Sequence, residues 1–375
     1  MSIHTVLQQR VQTLLDRLVA SGQETGLQAA AYLHGELVVD AAAGLADPGT
    51  GAPVTRDTLF HSFSTGKGAT ATVVHVLAAR GILDYDTPIA EYWPQFAANG
   101  KQHATVRHAL THAVGVPHLP PNVTATDLCD WDRMCSYIAA QPPLWAPGTA
   151  TGYHGWTFGY ILGEIVRRVT DHPISTILHE AVAVPLGVTE SLLFGVPDTT
   201  IARTAQLIDG GWADAMRSMP DTAPLFRAAP RPFLRTLAET GNRPDYLRAD
   251  IPSAGTMSAH AIARMYAALI SAVDGVRLLS PHRARDVTGL AVADTDLILA
   301  TPTRKALGYF LGLTWTGASP TAFGTTGAGG SIAFADPTHG LAFALTKNRL
   351  TAGPNDTAAP TVTHAIYDTL NATQH

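Results

Sequence analysis

Strand-like runs stand at both ends of this 375-residue chain, with helical patterns between them. Near the start, "LQAAAYLHGELVVDAAAGLAD" reads as two strands, joined at a tight turn on His34-Gly35. Near the end, "KALGYFLGLTW", "GGSIAFADP" and "HGLAFALTKN" are short apolar runs separated by Gly, Pro, Asp and His. Strands so far apart in sequence favour one sheet assembled from both termini. The expected fold class is α/β in the α+β sense: an antiparallel sheet with flanking helices and an inserted, mostly helical region. Residues 1–62 and 251–375 are assigned to the sheet domain and 63–250 to the insertion.

The helical text supports that division. "MSIHTVLQQRVQTLLDRLVASGQETG" is amphipathic, with Val6, Leu7, Val11, Leu14, Leu15 and Leu18 on its apolar positions. Residues 64–80 read as a helix that stops before Gly81. "FGYILGEIVRRVTD" and "SAHAIARMYAALISAV" are further helices, and Pro-rich connections such as "QPPLWAPGTATG" break the stretch from about 82 to 250. There is no internal repeat and no low-complexity segment.

Bulk properties exclude several classes. At 46% hydrophobic and 15% charged residues, the chain can build a large core and is not a disordered polymer. A net charge of −5 with no basic run offers nothing to nucleic acid or to an anionic membrane. The text shows neither a signal peptide nor a transmembrane span, so a cytoplasmic location is expected, with Cys129 and Cys135 as free thiols.

The stretch "HSFSTGKGAT" (61–70) poses the functional question. A phosphate-binding loop needs Gly at 61 and Ser or Thr at 68; the chain has His61 and Gly68. The other reading is Ser64-x-x-Lys67 opening a helix. Three residues make nearly one turn, so both side chains share a face. A serine hydroxyl needs a neighbouring base, and lysine serves if burial or a nearby charge lowers its pKa. The plain alternative is an ordinary helix start with a solvated lysine. The esterase signature G-x-S-x-G is absent.

Two companions raise the weight of Ser64 and Lys67. Tyr153, between a Pro/Gly-rich loop and a helix, can point into a cleft and act as a base beside a lysine, though a packing role is the commoner fate of a tyrosine. "FGTTGAGGSIAFADP" (323–337) is Gly-rich text entering a strand, where a substrate can come close to the sheet edge; a hairpin or bulge is the alternative. His103, His108, His112 and His118 are dense but lack a metal-ligand spacing, so no metal is assigned. Glu164, three and four residues before Arg167 and Arg168, reads as one side of a surface ion pair.

Taken in order, these segments resemble the serine β-lactamase and penicillin-binding-protein superfamily, most closely class C β-lactamases and family VIII carboxylesterases. The text "TLFHSFSTGKGATATVVHVLAARGILDYDTPIAEYWPQF", "TVRHALTHAVGVP", "PGTATGYHGWTFGYILGEIVRRVTD", "PLGVTESLLFGVP" and "FGTTGAGGSIAFADPTHGLAFALTKN" carries the likeness across most of the chain. The resemblance implies a β-lactamase/transpeptidase-like fold with the active site in the cleft between the sheet domain and the insertion, Ser64 as the acylated nucleophile, and Lys67 with Tyr153 as a general-base pair. It implies an oxyanion hole formed by the backbone N–H groups of Ser64 and Ala328, and no cofactor. His154, Thr325, Thr326 and Gly327 are expected to line the substrate.

Two departures shape the functional expectation. Where β-lactamases carry Tyr-x-Asn, this chain has Tyr153-His154-Gly155. Where they carry Lys-Thr-Gly, it has Thr325-Thr326-Gly327. The missing cation argues against substrates bearing a carboxylate. The first expectation is a serine hydrolase cleaving a small-molecule carboxylic ester through an acyl-enzyme on Ser64. An acyltransferase using the same intermediate is the alternative. A β-lactamase or D-amino-acid peptidase comes third and a non-catalytic binding protein last. The partner is a small-molecule ester or acyl donor, with no nucleic acid or membrane. Residues 205–250, rich in Pro, Arg and aromatics, are the expected lid or substrate wall.

Overall fold

A computed structural model describes residues 2–353 and 356–372. Its centre is a nine-stranded antiparallel sheet in the spatial order Ala52–Pro53, Glu36–Asp47, Gly26–Leu33, Leu341–Lys347, Ile332–Asp336, Phe323–Thr326, Phe310–Leu311, Thr301–Lys305 and Val292–Asp296. Its strands therefore come from the two ends of the chain, as the apolar runs imply. The first and last of these runs meet at its middle, Leu27 opposite Lys347 and Leu33 opposite Leu341.

The two-residue period of a strand decides what lies on each face. Leu27, Ala29, Ala31, Ile332, Phe334, Leu341, Phe343 and Leu345 pack against the terminal helices Ile3–Ala20 and Ala358–Ala372. Leu7, Val11, Leu15 and Leu18 form the buried stripe of the first helix, while Val6 and Leu14 lie at its half-buried margin. The opposite face carries Ala30, Ala333, Ala335, Ala342 and Ala344. Methyl side chains there let the helix Ala259–Ile270 lie close to the sheet. The same buried cluster continues through the helices Gly66–Ala79 and Thr157–Thr170, so sheet and helical region share one core.

Three local features differ from the sequence reading. The run 305–315 is not one strand: Thr301–Lys305 ends at its first residue, the chain turns, and Phe310–Leu311 resumes the sheet. The outermost hairpin, Val292–Asp296 with Thr301–Lys305, went unread because an edge pair exposes polar side chains and shows little apolar alternation. Glu164 is not on the surface. It is 1% exposed, held by a two-bond contact from Arg167 (2.8 Å each), by Arg168 Nε (2.7 Å) and by Trp131 Nε1 (2.9 Å). Helical spacing gave the partners correctly; the tryptophan that covers the pair comes from another element.

Cys129 and Cys135 are free. Among the described residues, no helix is long and apolar enough to cross a membrane.

Candidate active site

Ser64 sits in a single 3-10 turn, Phe63–Thr65, that runs directly into the helix Gly66–Ala79. The turn is held from three sides. Phe63 adopts φ +48°, a left-handed conformation costly for an aromatic residue, and the surrounding bonds impose it. Ser62 N donates to Gly255 O at 2.8 Å, and Gly255 N donates to Phe63 O at 3.0 Å. A Cβ on Gly66 would stand 2.4 Å from the carbonyl carbon of Ala254, and one on Gly327 would stand 2.1 Å from Ser62 O. Glycine at both places brings the segment 252–255 and the end of strand Phe323–Thr326 against the Ser64 turn. Ala328 follows Gly327 directly and is half-buried.

The three expected side chains converge. Lys67 Nζ lies 2.9 Å from Ser64 Oγ and donates to Ser253 O at 3.0 Å. Tyr153 OH donates to Ser64 Oγ at 2.7 Å. Lys67 is 2% exposed, and burial alone pulls its pKa well below the usual lysine range. Burial likewise pushes the Tyr153 phenol up; its bond to Ser64 works the other way, and the nearby Asp296 adds to the rise. Both directions favour uncharged groups. With both groups uncharged, Tyr153 donates to Ser64 Oγ and the Ser64 proton can point at Lys67 Nζ, the arrangement a general base requires.

This arrangement fixes a pH response. With a neutral Lys67 as the base, kcat/KM is expected to rise with pH through the lowered Lys67 pKa and to level off above it. His112 and His154 do not contribute to that limb, because burial keeps both imidazoles neutral; His154 is pulled down to about 3. A kcat/KM profile on a neutral ester checks it: the expected acid limb lies far below the ordinary lysine range. A profile still climbing through that range would mean a charged resting lysine.

Two expected substrate contacts are corrected. His154 is fully buried; its Nε2 accepts from Val116 N at 3.1 Å and its Nδ1 meets Gly152 O at 2.6 Å. Both ring nitrogens are spent on the backbone, so the side chain shapes the loop and offers nothing to a ligand. Thr325 is also buried. Its Oγ1 donates to Thr65 O at 3.1 Å and lies 3.3 Å from Tyr266 OH, behind the Ser64 turn. Thr326, the next residue on the strand, is exposed, as the alternation of a strand requires, and Gly327 is half-buried. The region 205–250 packs on Trp156, three residues after Tyr153: the Trp156 ring lies 5.1 Å from that of Phe233, and its Nε1 donates to Tyr246 OH at 3.5 Å.

The histidines serve structure. His108 Nδ1 accepts from Thr105 N at 3.2 Å and closes a capping box. His112 Nδ1 accepts from His154 N at 3.0 Å, and its ring lies 5.2 Å from that of Tyr153. His118 bonds Gln141 at 2.8 Å, and His103 is exposed. Among the described residues, no group of three His, Cys, Asp or Glu is placed to hold a metal ion.

Sequence reasoning missed the segment Pro252–Gly255. Ser253 O holds Lys67, Pro252 O accepts from Thr70 Oγ1 at 2.5 Å, and Ser253 Oγ bonds both Gly159 N, at 2.7 Å, and Trp156 O. Its one visible signal was the small-residue run "PSAG", which admits close backbone approach.

A family model described as Beta-lactamase matches residues 11–367. The esterase/beta-lactamase LipL of Mycobacterium tuberculosis (strain ATCC 25618 / H37Rv) is 37% identical over 86% of this chain and 76% of its own length. The crystal structure of a family VIII carboxylesterase superposes with a TM-score of 0.86 at 33% identity, covering 96% of this chain and 97% of that one. A penicillin-binding protein homolog from Caulobacter crescentus superposes with a TM-score of 0.84, also at 33% identity, with 96% of each chain covered.

Proposed function

The chain belongs to the beta-lactamase family, and from that premise we propose that it is a serine esterase acting on uncharged small-molecule esters. One observation carries the reading: the Ser64 hydroxyl lies within hydrogen-bond reach of both Lys67 and Tyr153, two groups whose burial favours their uncharged forms. The names of the esterase relatives support it.

The reaction follows from the positions. Ser64 Oγ attacks the ester carbonyl carbon as its proton passes to Lys67 Nζ. The oxygen of the tetrahedral intermediate is held by the N–H groups of Ser64 and Ala328, donors that need no rearrangement when charge develops. The C–O bond to the alcohol breaks, and Tyr153 OH supplies the proton the leaving alkoxide takes up. Lys67, now an ammonium, restores the phenol proton. Water then attacks the acyl-enzyme, giving its proton back through the same pair, and the acid leaves with Ser64 regenerated.

The preference for uncharged esters rests on position 325. The side chain there is buried and tied to Thr65 O, and it is a threonine where a cation would meet a substrate carboxylate. A hydrogen bond to a charged partner contributes ~1.5–3 kcal/mol, so its absence costs a carboxylate-bearing β-lactam about 10- to 100-fold relative to enzymes that make it. The expected result is measurable kcat/KM for p-nitrophenyl butyrate and a much lower value for a chromogenic cephalosporin. Equal values would overturn the assignment. Including a primary alcohol and following the butyrate ester formed separates hydrolysis from acyl transfer; free butyrate as the main product is expected.

A further inference from the structure

The edge hairpin Val292–Asp296/Thr301–Lys305 is mostly exposed, yet it ends in a fully buried ion pair. Lys305 Nζ meets Asp296 Oδ2 at 2.7 Å, with side-chain exposures of 1% and 0%. Taking two charges out of water is costly, and well-packed apolar residues hold such a hairpin equally well or better. What the pair touches supplies a reason for it. Asp296 Oδ1 accepts from Tyr153 N at 3.0 Å, and also from Ile298 N at 2.9 Å and Leu299 N at 2.8 Å. Lys305 Nζ donates to Thr151 Oγ1 at 2.6 Å, and Leu297 N donates to Thr151 O at 2.9 Å. Lys305 Nζ also lies 5.7 Å from the centre of the Phe310 ring, which packs against the Tyr153 ring at 6.0 Å.

We propose that the Asp296–Lys305 pair is a positioning device for Tyr153, fixing the phenol against Ser64 from the far edge of the sheet. The pair grips the tyrosine loop at two residues, 151 and 153, through one acceptor and one donor. The carboxylate takes the Tyr153 amide on one oxygen while the ammonium holds the other oxygen, so the carboxylate cannot swing away. Asp296 and Lys305 do not touch the reacting atoms; they act through Tyr153. The inference takes Tyr153 to be part of the reaction proposed above.

Two double variants isolate the device. Asp296→Asn with Lys305→Met removes both charges but keeps an oxygen for the Tyr153 amide. Asp296→Ala with Lys305→Met removes the oxygen too. Misplacement of a reacting group by about 1 Å costs on the order of 10²-fold, so the Ala/Met protein should lose about that in kcat with KM within about threefold, and the Asn/Met protein should recover most of it. Glu164→Gln breaks a buried pair that does not touch the tyrosine loop, and should lower the melting temperature without this loss of kcat. If the Ala/Met protein does not fold, Asp296→Leu with Lys305→Met fills the carboxylate's volume without offering an acceptor, and the same fall in kcat is expected. A crystal structure of the folded variant should show Tyr153 OH withdrawn from Ser64 Oγ. Equal kcat in the two double variants, or a phenol still in hydrogen-bond contact with Ser64, would overturn the proposal. A wild type inactive on every ester would instead sink the esterase reading, while the position of Tyr153 in the variants would still decide this one.

Discussion

Ser64→Ala lowers turnover of p-nitrophenyl butyrate by at least about 10³-fold, because the bond-forming atom is gone and only binding and the oxyanion donors remain. The fold should survive. Among the described residues Ser64 Oγ bonds the Lys67 and Tyr153 side chains alone, and the turn that bears it is held by backbone bonds from Gly255 and by close backbone packing. Melting curves and far-UV circular dichroism should therefore overlay the wild type. A variant that keeps a tenth or more of the activity would mean that another group carries the acyl chain.

Lys67→Met is the second large effect, and it separates function from stability. Removing a general base costs about 10²- to 10⁴-fold in kcat. Stability should move the other way or not at all. Burial is what depresses the Lys67 pKa, and among the described residues its hydrogen-bond partners are a hydroxyl and a carbonyl. Methionine fills nearly the same volume with no charge to desolvate. The sign of the pH linkage follows. A lysine whose pKa is lower in the folded state binds fewer protons there than in the unfolded chain. Its contribution to stability thus rises with pH between the two values, and the folded state is penalised as pH falls through that window. Methionine removes the penalty, so the variant should gain most, relative to wild type, at the acid end of the stable range. Urea titrations at several pH values check this. A large loss of stability at neutral pH would mean that Lys67 is a structural cation. An Arg at this position should not restore activity, since guanidinium stays protonated.

What the sequence revealed divides along a physical line. Ser64 and Lys67 were legible because helical spacing puts residues three apart on one face, and the structure has them 2.9 Å apart. The central sheet was legible from runs such as "HGLAFALTKN", since a buried strand needs apolar residues on both faces. The contacts that tune the site were not. Ser253 holds Lys67 through a carbonyl oxygen that every residue has, and Asp296 holds the Tyr153 amide from 143 residues away. His154 and Thr325 were misread because motif position alone does not say which way a side chain points; the strand pleat turned Thr325 inward and the loop turned His154 to its own backbone. Glu164 was read with the right partners and the wrong exposure, because Trp131 reaches it from another helix.

The central claim is that Ser64 carries an acyl group during turnover. Intact-protein mass spectrometry shortly after mixing with p-nitrophenyl butyrate tests it, with wild type and Ser64→Ala run side by side. The predicted result is a butyryl adduct on the wild type that maps to Ser64 and decays as p-nitrophenol accumulates, with no adduct on the variant. A butyryl group on another residue, or neither adduct nor turnover across several acyl lengths, would contradict it.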